Sequence, residues 1–140
     1  MAGESTRSIE ITRSSLGRYI ATNARGGRIE LASGDGEAFS PVELLLVAIA
    51  GCTAADVDYI TVKRSEPASF KVRMRGDKVR DTNGNRMENL TVTIDVTFPE
   101  GEAGDAAREV LPSAVQRSHD RLCTVSRTVE LATPVSVETA

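Results

Sequence analysis

The feature that most constrains this fold is a long segment, from about Val42 to Arg64, whose first half is apolar on nearly every side of a helix. Ser40 followed by Pro41 is a typical helix start, with the Ser as N-cap and the Pro in the first turn. An element that is apolar all round must be buried all round. A chain of 140 residues has little material to surround such a helix, so we expect a second subunit to cover part of it.

Strand-like segments lie on both sides of this helix. The stretch from Ser8 to Ala32 holds three short β-like runs separated by Gly-containing turns, which predicts a three-stranded antiparallel unit. After the helix, Phe70 to Gly76 and Leu90 to Phe98 alternate apolar and polar residues. The polar region Asp81 to Asn85 contains an Asn-Gly step, so these two runs are predicted to form a β-hairpin packed on the central helix.

The last third of the chain predicts one more helix and a closing strand. Apolar residues recur at three- and four-residue steps from about Ala103 to Leu122, and Pro112 is expected to bend or split that helix. The stretch 124–138 is rich in Val and Thr and is predicted to form one or two strands. The element order lacks the strand-helix alternation of a doubly wound sheet, so we expect a single α+β domain over residues 1–140.

Composition excludes several classes of protein. The 17 basic and 20 acidic residues give a net charge of −3 and are interspersed, so the electrostatic footprint of a nucleic-acid binder is missing. The N-terminus has no basic region followed by an apolar stretch, and the longest apolar run, Leu44 to Ala50, is far shorter than a membrane span. We therefore expect a soluble cytoplasmic protein with neither nucleic acid nor membrane as partner.

The two cysteines are the residues most suited to chemistry. Cys52 and Cys123 are too far apart for a CxxC motif, and with one His in the chain no zinc site is expected. Cys52 lies about three turns inside the predicted helix, so a thiolate there needs a cation from elsewhere, most plausibly an Arg of the N-terminal strands. Asp56, one turn later, would by itself raise the thiol pKa. A buried Cys that only fills space remains the alternative, and His119 is expected to be solvated.

Two motifs carry a resemblance to a known family. The segment SPVELLLVAIAGCTAADVDYI, followed later by DRLCTVS, resembles the paired signature of the OsmC/Ohr family over nearly the whole chain. This resemblance implies an intertwined α+β homodimer with antiparallel sheets around a long central buried helix. It also implies that Cys52 is the peroxidatic thiol, which an organic hydroperoxide oxidises to a sulfenic acid, and that Cys123 resolves it as a disulfide.

One position departs from the pattern of the family's peroxidases. They place a Glu directly after the helix-initiating Pro to clamp an activating Arg, and this chain has Val42 there. Glu43 follows nine residues before Cys52, which on a regular helix is the opposite side. Arg13 and Arg18 flank the first turn, where the family's catalytic Arg resides, and Arg18 is the candidate we choose. The predicted catalytic set is therefore Cys52, Cys123, Arg18 and Glu43.

The expected function is thiol-dependent reduction of small organic hydroperoxides, reset by a lipoyl-type or other dithiol reductant. No cofactor and no metal are expected to take part. The alternative is a non-catalytic or redox-sensing dimer that binds a small hydrophobic ligand in its interface pocket. Loss of the family's Glu favours the alternative, whereas retention of both cysteines favours the enzyme.

Overall fold

The computed structural model describes residues 5–140 of the chain. Its antiparallel strands and separate helices confirm the predicted α+β class. The chain forms two compact units, which divide between Leu45 and Leu46. A single domain over the whole chain remains a prediction.

The first unit contains the predicted three-stranded sheet. Its strands are β1 (Ile9–Ser15), β2 (Arg18–Asn23) and β3 (Arg28–Ala32), paired antiparallel in the order β1-β2-β3. The tight turn between β1 and β2 requires a positive φ at Gly17, which is +72° and is accessible to Gly without strain. The sequence-based prediction of this unit is confirmed.

Helix α1 (Pro41–Thr61) begins where the sequence predicts. The Ser40 N–H donates to Glu43 Oε1 (2.9 Å), and the Glu43 N–H donates to Ser40 Oγ (3.1 Å). This reciprocal pair is a capping box, which satisfies backbone donors that a helix start leaves unpaired. The helix is uninterrupted over its 21 residues and ends slightly earlier than expected.

Burial of α1 differs from the expectation that the helix is covered on all sides. Its buried residues form a single stripe at four-residue steps: Ile49, Thr53, Val57 and Thr61. Outside that stripe, Val47 is 48% exposed and Tyr59 is 76% exposed. By length and composition alone α1 could cross a membrane, although the core helix of a soluble protein passes the same test. The chain by itself therefore covers one face of this helix.

The second unit contains the predicted hairpin, in longer form. Strands β4 (Ser69–Asp81) and β5 (Gly84–Thr97) pair antiparallel across a two-residue turn, Thr82 and Asn83. The positive φ of Gly84 (+107°) explains why the Asn-Gly step marks this turn. The hairpin prediction is confirmed, and both strands extend beyond their alternating apolar segments.

The last third of the chain corrects two predictions. Helix α2 (Glu102–Arg117) continues through Pro112 and is not split there; the α-helical pattern changes only at a π-helical turn, Ser118–Leu122. The stretch predicted as closing strands forms helix α3 (Thr124–Glu130), and no strand is present in 131–140. Local hydrogen bonds favour the helix over its β-branched composition, since the backbone N–H of Ser126 caps onto Cys123 and Thr128 Oγ1 donates to the Thr124 carbonyl (2.7 Å).

Candidate functional site: a cysteine pair beside an apolar cavity

The structure brings the two cysteines together within the second unit. Cys52 lies on α1 and is half-buried, whereas Cys123 is fully buried at the junction of the π turn and α3. The two sulfur atoms and a carboxylate oxygen of Asp56 all lie within 4.8 Å of one another. Neither cysteine is part of a disulfide. A thiol pair with a carboxylate beside it is the central feature of this site.

The π turn fixes the position of Cys123. The Cys123 N–H donates to the Ser118 carbonyl (2.9 Å), five residues earlier, and the backbone then becomes extended at Cys123, with φ −74° and ψ 98°. A π turn adds one residue to a helical repeat and is often found at functional sites. The extended residue interrupts the helical path between α2 and α3, and its sulfur becomes the N-cap of α3.

Several hydrogen-bond donors surround the Cys123 sulfur. The Ser126 backbone N–H donates to it from 3.4 Å, and Ser126 Oγ lies 3.2 Å away. Thr53 Oγ1 on α1 donates from 3.9 Å. Burial acts to raise the pKa of the Cys123 thiol, but the hydrogen bonds from Ser126, Cys52 and Thr53 outweigh it and hold that pKa below its ordinary value of 9.0. These donors favour a thiolate at Cys123.

The surroundings of Cys52 act in the opposite direction. Burial raises the pKa of the Cys52 thiol above 9.0, and its hydrogen bond to Cys123 and the negative charges of Cys123 and Asp56 raise it further. A backbone N–H from Val125 lowers it only in part. The sequence-based prediction about Asp56 is therefore confirmed in its direction. The order of the two pKa values is the reverse of that expected if Cys52 alone were the activated thiolate.

Ser118 is a site residue that sequence reasoning missed. Its side chain is fully buried, and its Oγ donates to Asp56 Oδ2 across 2.8 Å. This bond joins α1 to the π turn and holds the Asp56 carboxylate close to the sulfurs. No local pattern marks Ser118, because its partner lies 62 positions earlier in the chain. The contact of Ser126 could have been found from the sequence, because the backbone N–H three residues after an N-cap residue is the one that the cap side chain binds.

Cys52, Asp56 and Cys123 are also groups of the kind that bind metal ions. The expectation of no zinc site counted only Cys and His and overlooked the carboxylate one helical turn after Cys52. A closed structural zinc site needs four ligands. Within residues 5–140 no fourth His, Cys, Asp or Glu joins this group. The residues present do not complete a structural zinc centre.

An apolar cavity of about 530 Å³ lies next to residues that contact Cys123. Its wall includes Thr53 and Ser126, both of which hydrogen-bond to the Cys123 sulfur. Cavities of this size and polarity suit a small organic molecule. The rest of the wall comes from α1, the hairpin, the α2 end, the π turn and α3. Its apolar members are Ile49, Met74, Leu90, Val92, Ile94, Val115 and Val129, and its polar members are Thr91, Gln116, His119 and Glu130.

The other two predicted catalytic residues lie in the first unit. Arg18 begins β2, and its guanidinium lies beside Gly36, where an added Cβ would be 3.5 Å from Nη2. The Glu43 carboxylate is engaged in the capping box with Ser40. Among the salt bridges of residues 5–140, none joins Arg18 to Glu43. Because α1 is regular from Pro41 onward, the irregularity that could have turned Glu43 toward Cys52 is not found.

His119 is solvent-exposed, as predicted, but it is not free of partners. Its Nδ1 lies 3.0 Å from Asp120, and its Nε2 lies 3.1 Å from Glu130 at the cavity wall. The hydrogen bond with Asp120 and the charge of Glu130 raise the pKa of the His119 imidazole above 6.5. The imidazole therefore ties the π turn to α3.

Comparison with known proteins identifies similar chains. The model of the family described as OsmC-like protein matches residues 34–138. An uncharacterized protein of Mycobacterium tuberculosis is 28% identical over 130 residues, which are 91% of this chain and 92% of that protein. An OsmC-like protein of unknown function from Vibrio cholerae has a similar fold, with a TM-score of 0.75, 15% identity, and coverage of 91% and 95% of the two chains. An organic hydroperoxide resistance protein from Legionella pneumophila gives a TM-score of 0.59, with 15% identity and 91% coverage of both chains.

Proposed function

Since this chain belongs to the OsmC-like protein family, we propose that it reduces small organic hydroperoxides through Cys52 and Cys123. The observation that carries the proposal is the cysteine pair, whose sulfurs lie within 4.8 Å of each other on separate elements of one compact unit. Formation of a disulfide requires the two sulfur atoms to close from this separation to about 2.05 Å.

The proposed oxidation has two steps. Cys52, the more accessible thiol, attacks the distal oxygen of the peroxide, so the O–O bond breaks, the alcohol leaves and a Cys52 sulfenic acid forms. The Cys123 sulfur then displaces water from the sulfenic acid, and the disulfide forms. The protein loses two electrons, and the peroxide gains them. A dithiol, of lipoyl or similar type, supplies the electrons that restore both thiols.

The two sulfurs contribute differently to these steps. A thiolate at Cys123 is a ready nucleophile for the Cys52 sulfenic acid, because its hydrogen-bond donors are already in place. Cys52 must lose its proton when it attacks, against the influence of Asp56. We propose that Arg18 supplies the compensating positive charge in the assembled protein, and that Glu43 acts through the helix start that it caps.

The cavity supports an organic substrate over hydrogen peroxide. Its wall is mainly apolar, and an alkyl chain bound there would lie beside Thr53 and Ser126, which also contact Cys123. The Legionella protein of similar fold is named an organic hydroperoxide resistance protein. Burial of an alkyl group contributes about 0.8 kcal/mol per methylene, so longer alkyl peroxides are expected to bind more tightly.

A second copy of the chain is the partner that we propose for the exposed face of α1. Val47 and Tyr59 on that helix are exposed, as are Val135 and Val137 near the chain end, at 87% and 89%. Exposed apolar side chains that form a patch mark interfaces between subunits, and a second copy packed on α1 would cover Val47 and Tyr59. Light scattering on a sizing column tests the homodimer, and a monomer mass at micromolar concentration would contradict it.

A cytoplasmic, reducing location suits two free thiols.

The cavity also supports a second candidate function, in which the protein binds a small hydrophobic ligand without turnover. Its volume lies within the range of ligand sites, and two of its wall residues, Thr53 and Ser126, contact the Cys123 sulfur, so disulfide formation would alter the cavity wall and make such binding sensitive to oxidation. Binding of an apolar fluorescent probe that is lost on disulfide formation, with no peroxide consumption, would favour this function.

Steady-state turnover distinguishes the two candidates. Hydroperoxide consumption is followed with dihydrolipoamide as reductant, with the parent protein, Cys52→Ser and Cys123→Ser compared at equal concentration. We expect multiple turnovers for the parent and none for Cys52→Ser. Loss of peroxide at the same rate in the parent and in Cys52→Ser would contradict the enzyme function.

A further inference from the structure

We propose that the oxidised pair is opened in one direction: the reductant attacks Cys52, and Cys123 is the leaving thiolate that Ser126 and Thr53 receive. This inference rests on the Cys52–Cys123 disulfide of the proposed function. It assigns a role to Ser126 and Thr53: both residues position and stabilise the departing Cys123 sulfur.

Access to the two sulfurs is unequal. Cys52 is half-buried and Cys123 is fully buried. An attacking thiolate must approach one sulfur along the line of the S–S bond, and which sulfur is attacked depends on access as well as on acidity. Within one chain an attacking thiolate therefore meets the Cys52 side chain first, whereas the Cys123 sulfur is enclosed by Thr53 of α1 and Ser126 at the start of α3.

Leaving-group stabilisation is equally one-sided. In the reduced protein the Ser126 backbone N–H donates to the Cys123 sulfur (3.4 Å), and the Cys123 thiol donates to Ser126 Oγ (3.2 Å). The Ser126 hydroxyl can donate to the same sulfur once it is a thiolate, and the Thr53 hydroxyl donates to it from 3.9 Å. The Cys52 sulfur has one backbone donor, from Val125, and lies beside the Asp56 carboxylate. Negative charge that develops as the S–S bond breaks is therefore better tolerated on Cys123, and a more acidic thiol leaves faster.

The chemistry of the reset then follows in two exchanges. A thiolate of the reductant forms a bond to the Cys52 sulfur, the S–S bond of the protein breaks, and its electron pair departs on Cys123. The second thiolate of the reductant displaces Cys52 from the mixed disulfide, and Cys52 takes up a proton. The reductant becomes a disulfide, and the protein gains two electrons.

Trapping of the mixed disulfide tests the direction of attack. The disulfide is formed with diamide, so that no peroxide is needed, and is then treated briefly with glutathione, which cannot complete the second exchange by cyclising. Acid quenching, alkylation of free thiols and peptide mass mapping identify the cysteine that carries glutathione. We expect glutathione on Cys52 and the alkyl group on Cys123. Glutathione on Cys123, or equally on both, would overturn the proposal.

Variants of the donors test the leaving-group role separately from access. Ser126→Ala and Thr53→Val remove one hydroxyl each, and Ser113→Ala, an exposed serine of α2, is the matched control. In the transition state the leaving Cys123 sulfur carries about half a negative charge. Loss of one hydrogen bond to it is expected to slow the reaction of glutathione with the protein disulfide roughly threefold to tenfold for Ser126→Ala, and less for Thr53→Val. The control should not change it. Unchanged rates in both donor variants, with circular dichroism as for the parent, would refute stabilisation by these residues.

These outcomes separate this inference from the proposed function. If diamide forms the disulfide but an alkyl hydroperoxide does not, the peroxidase function is refuted. The direction in which the disulfide opens can still be read from the trapped glutathione adduct. A protein that reduces peroxide but carries glutathione on Cys123 refutes the direction alone. Failure of diamide to form the disulfide refutes both.

Discussion

Replacement of Asp56 by Asn should make Cys52 more reactive. The change removes a negative charge within 4.8 Å of the Cys52 sulfur, and the amide oxygen can still accept the hydrogen bond from Ser118. At that separation two unit charges repel by about 0.9 kcal/mol at the dielectric constant of water and about 3.5 kcal/mol at an effective value of 20. Because Cys52 is half-buried, the true effect should lie between these limits.

The rate follows from the change in thiolate fraction and in nucleophilicity. A more acidic thiol has more thiolate at neutral pH but is intrinsically less nucleophilic, with a Brønsted coefficient of about 0.4 to 0.5. The net expectation is roughly a 2-fold to 25-fold faster thiol exchange. The assay is reaction with 2,2′-dithiodipyridine at pH 7, in a Cys123→Ser background so that Cys52 alone reports.

Asp58→Asn is the matched control, because it removes the same charge from an exposed position of the same helix. Its rate should remain near that of the background. If Asp56→Asn reacts no faster than the background while Asp58→Asn behaves as expected, the argument that Asp56 restrains the Cys52 thiolate is refuted.

Three other changes test further parts of the structure. His119→Gln should lower the free energy of unfolding below pH 6.5, because the protonated imidazole, whose pKa is raised in the folded state, stabilises the fold there. The difference from the parent in urea denaturation should vanish as the pH rises through the folded pKa, and a pH-independent difference would contradict this. Gly104→Ala should lower the melting temperature, since a Cβ would overlap the Pro99 carbonyl oxygen at a cost of roughly 1–3 kcal/mol or more; an unchanged melting curve would contradict the packing. Arg18→Gln should slow peroxide reduction roughly tenfold by removing the proposed positive charge, whereas Arg13→Gln should not; equal effects of the two would remove Arg18 from the proposal.

Local patterns were sufficient for much of the fold. Ser40 and Pro41 marked the start of α1, because an N-cap and a first-turn proline are recognisable from adjacent residues, and the capping box found there joins Ser40 to Glu43, three residues later. The Asn83-Gly84 step marked the hairpin because its backbone needs a positive φ. In both cases the interacting atoms belong to neighbouring residues, so the sequence contains the whole interaction.

Predictions failed where a few specific hydrogen bonds outweighed composition. The Val- and Thr-rich stretch after Cys123 has high strand propensity, yet it forms α3 because Ser126 caps onto the Cys123 sulfur. Strand propensity describes fit to a pleated, partly buried sheet, and no strand of the described residues pairs with this stretch. Pro112 does not split α2, and the helical pattern changes at Ser118 instead.

The two cysteines of the candidate site stand out in the sequence, but the opposite directions of their pKa shifts do not. Asp56 was visible as a neighbour of Cys52 at helical spacing, and its effect on the Cys52 pKa was predicted in the right direction. The lowered pKa of Cys123 depends first on Ser126, whose cap exists only if α3 forms, and then on contacts such as that with Thr53, 70 positions away. Such contacts arise from the tertiary fold and leave no local sequence pattern.

The most direct test of the central claim is a single-turnover experiment on the fully reduced protein. One equivalent of an alkyl hydroperoxide is added, and free thiols and intact mass are followed over time in the parent, Cys52→Ser and Cys123→Ser proteins. The proposed function predicts rapid loss of both thiols in the parent, a trapped sulfenic acid in Cys123→Ser and no reaction in Cys52→Ser. A parent protein that keeps both thiols through many minutes of excess peroxide would contradict it.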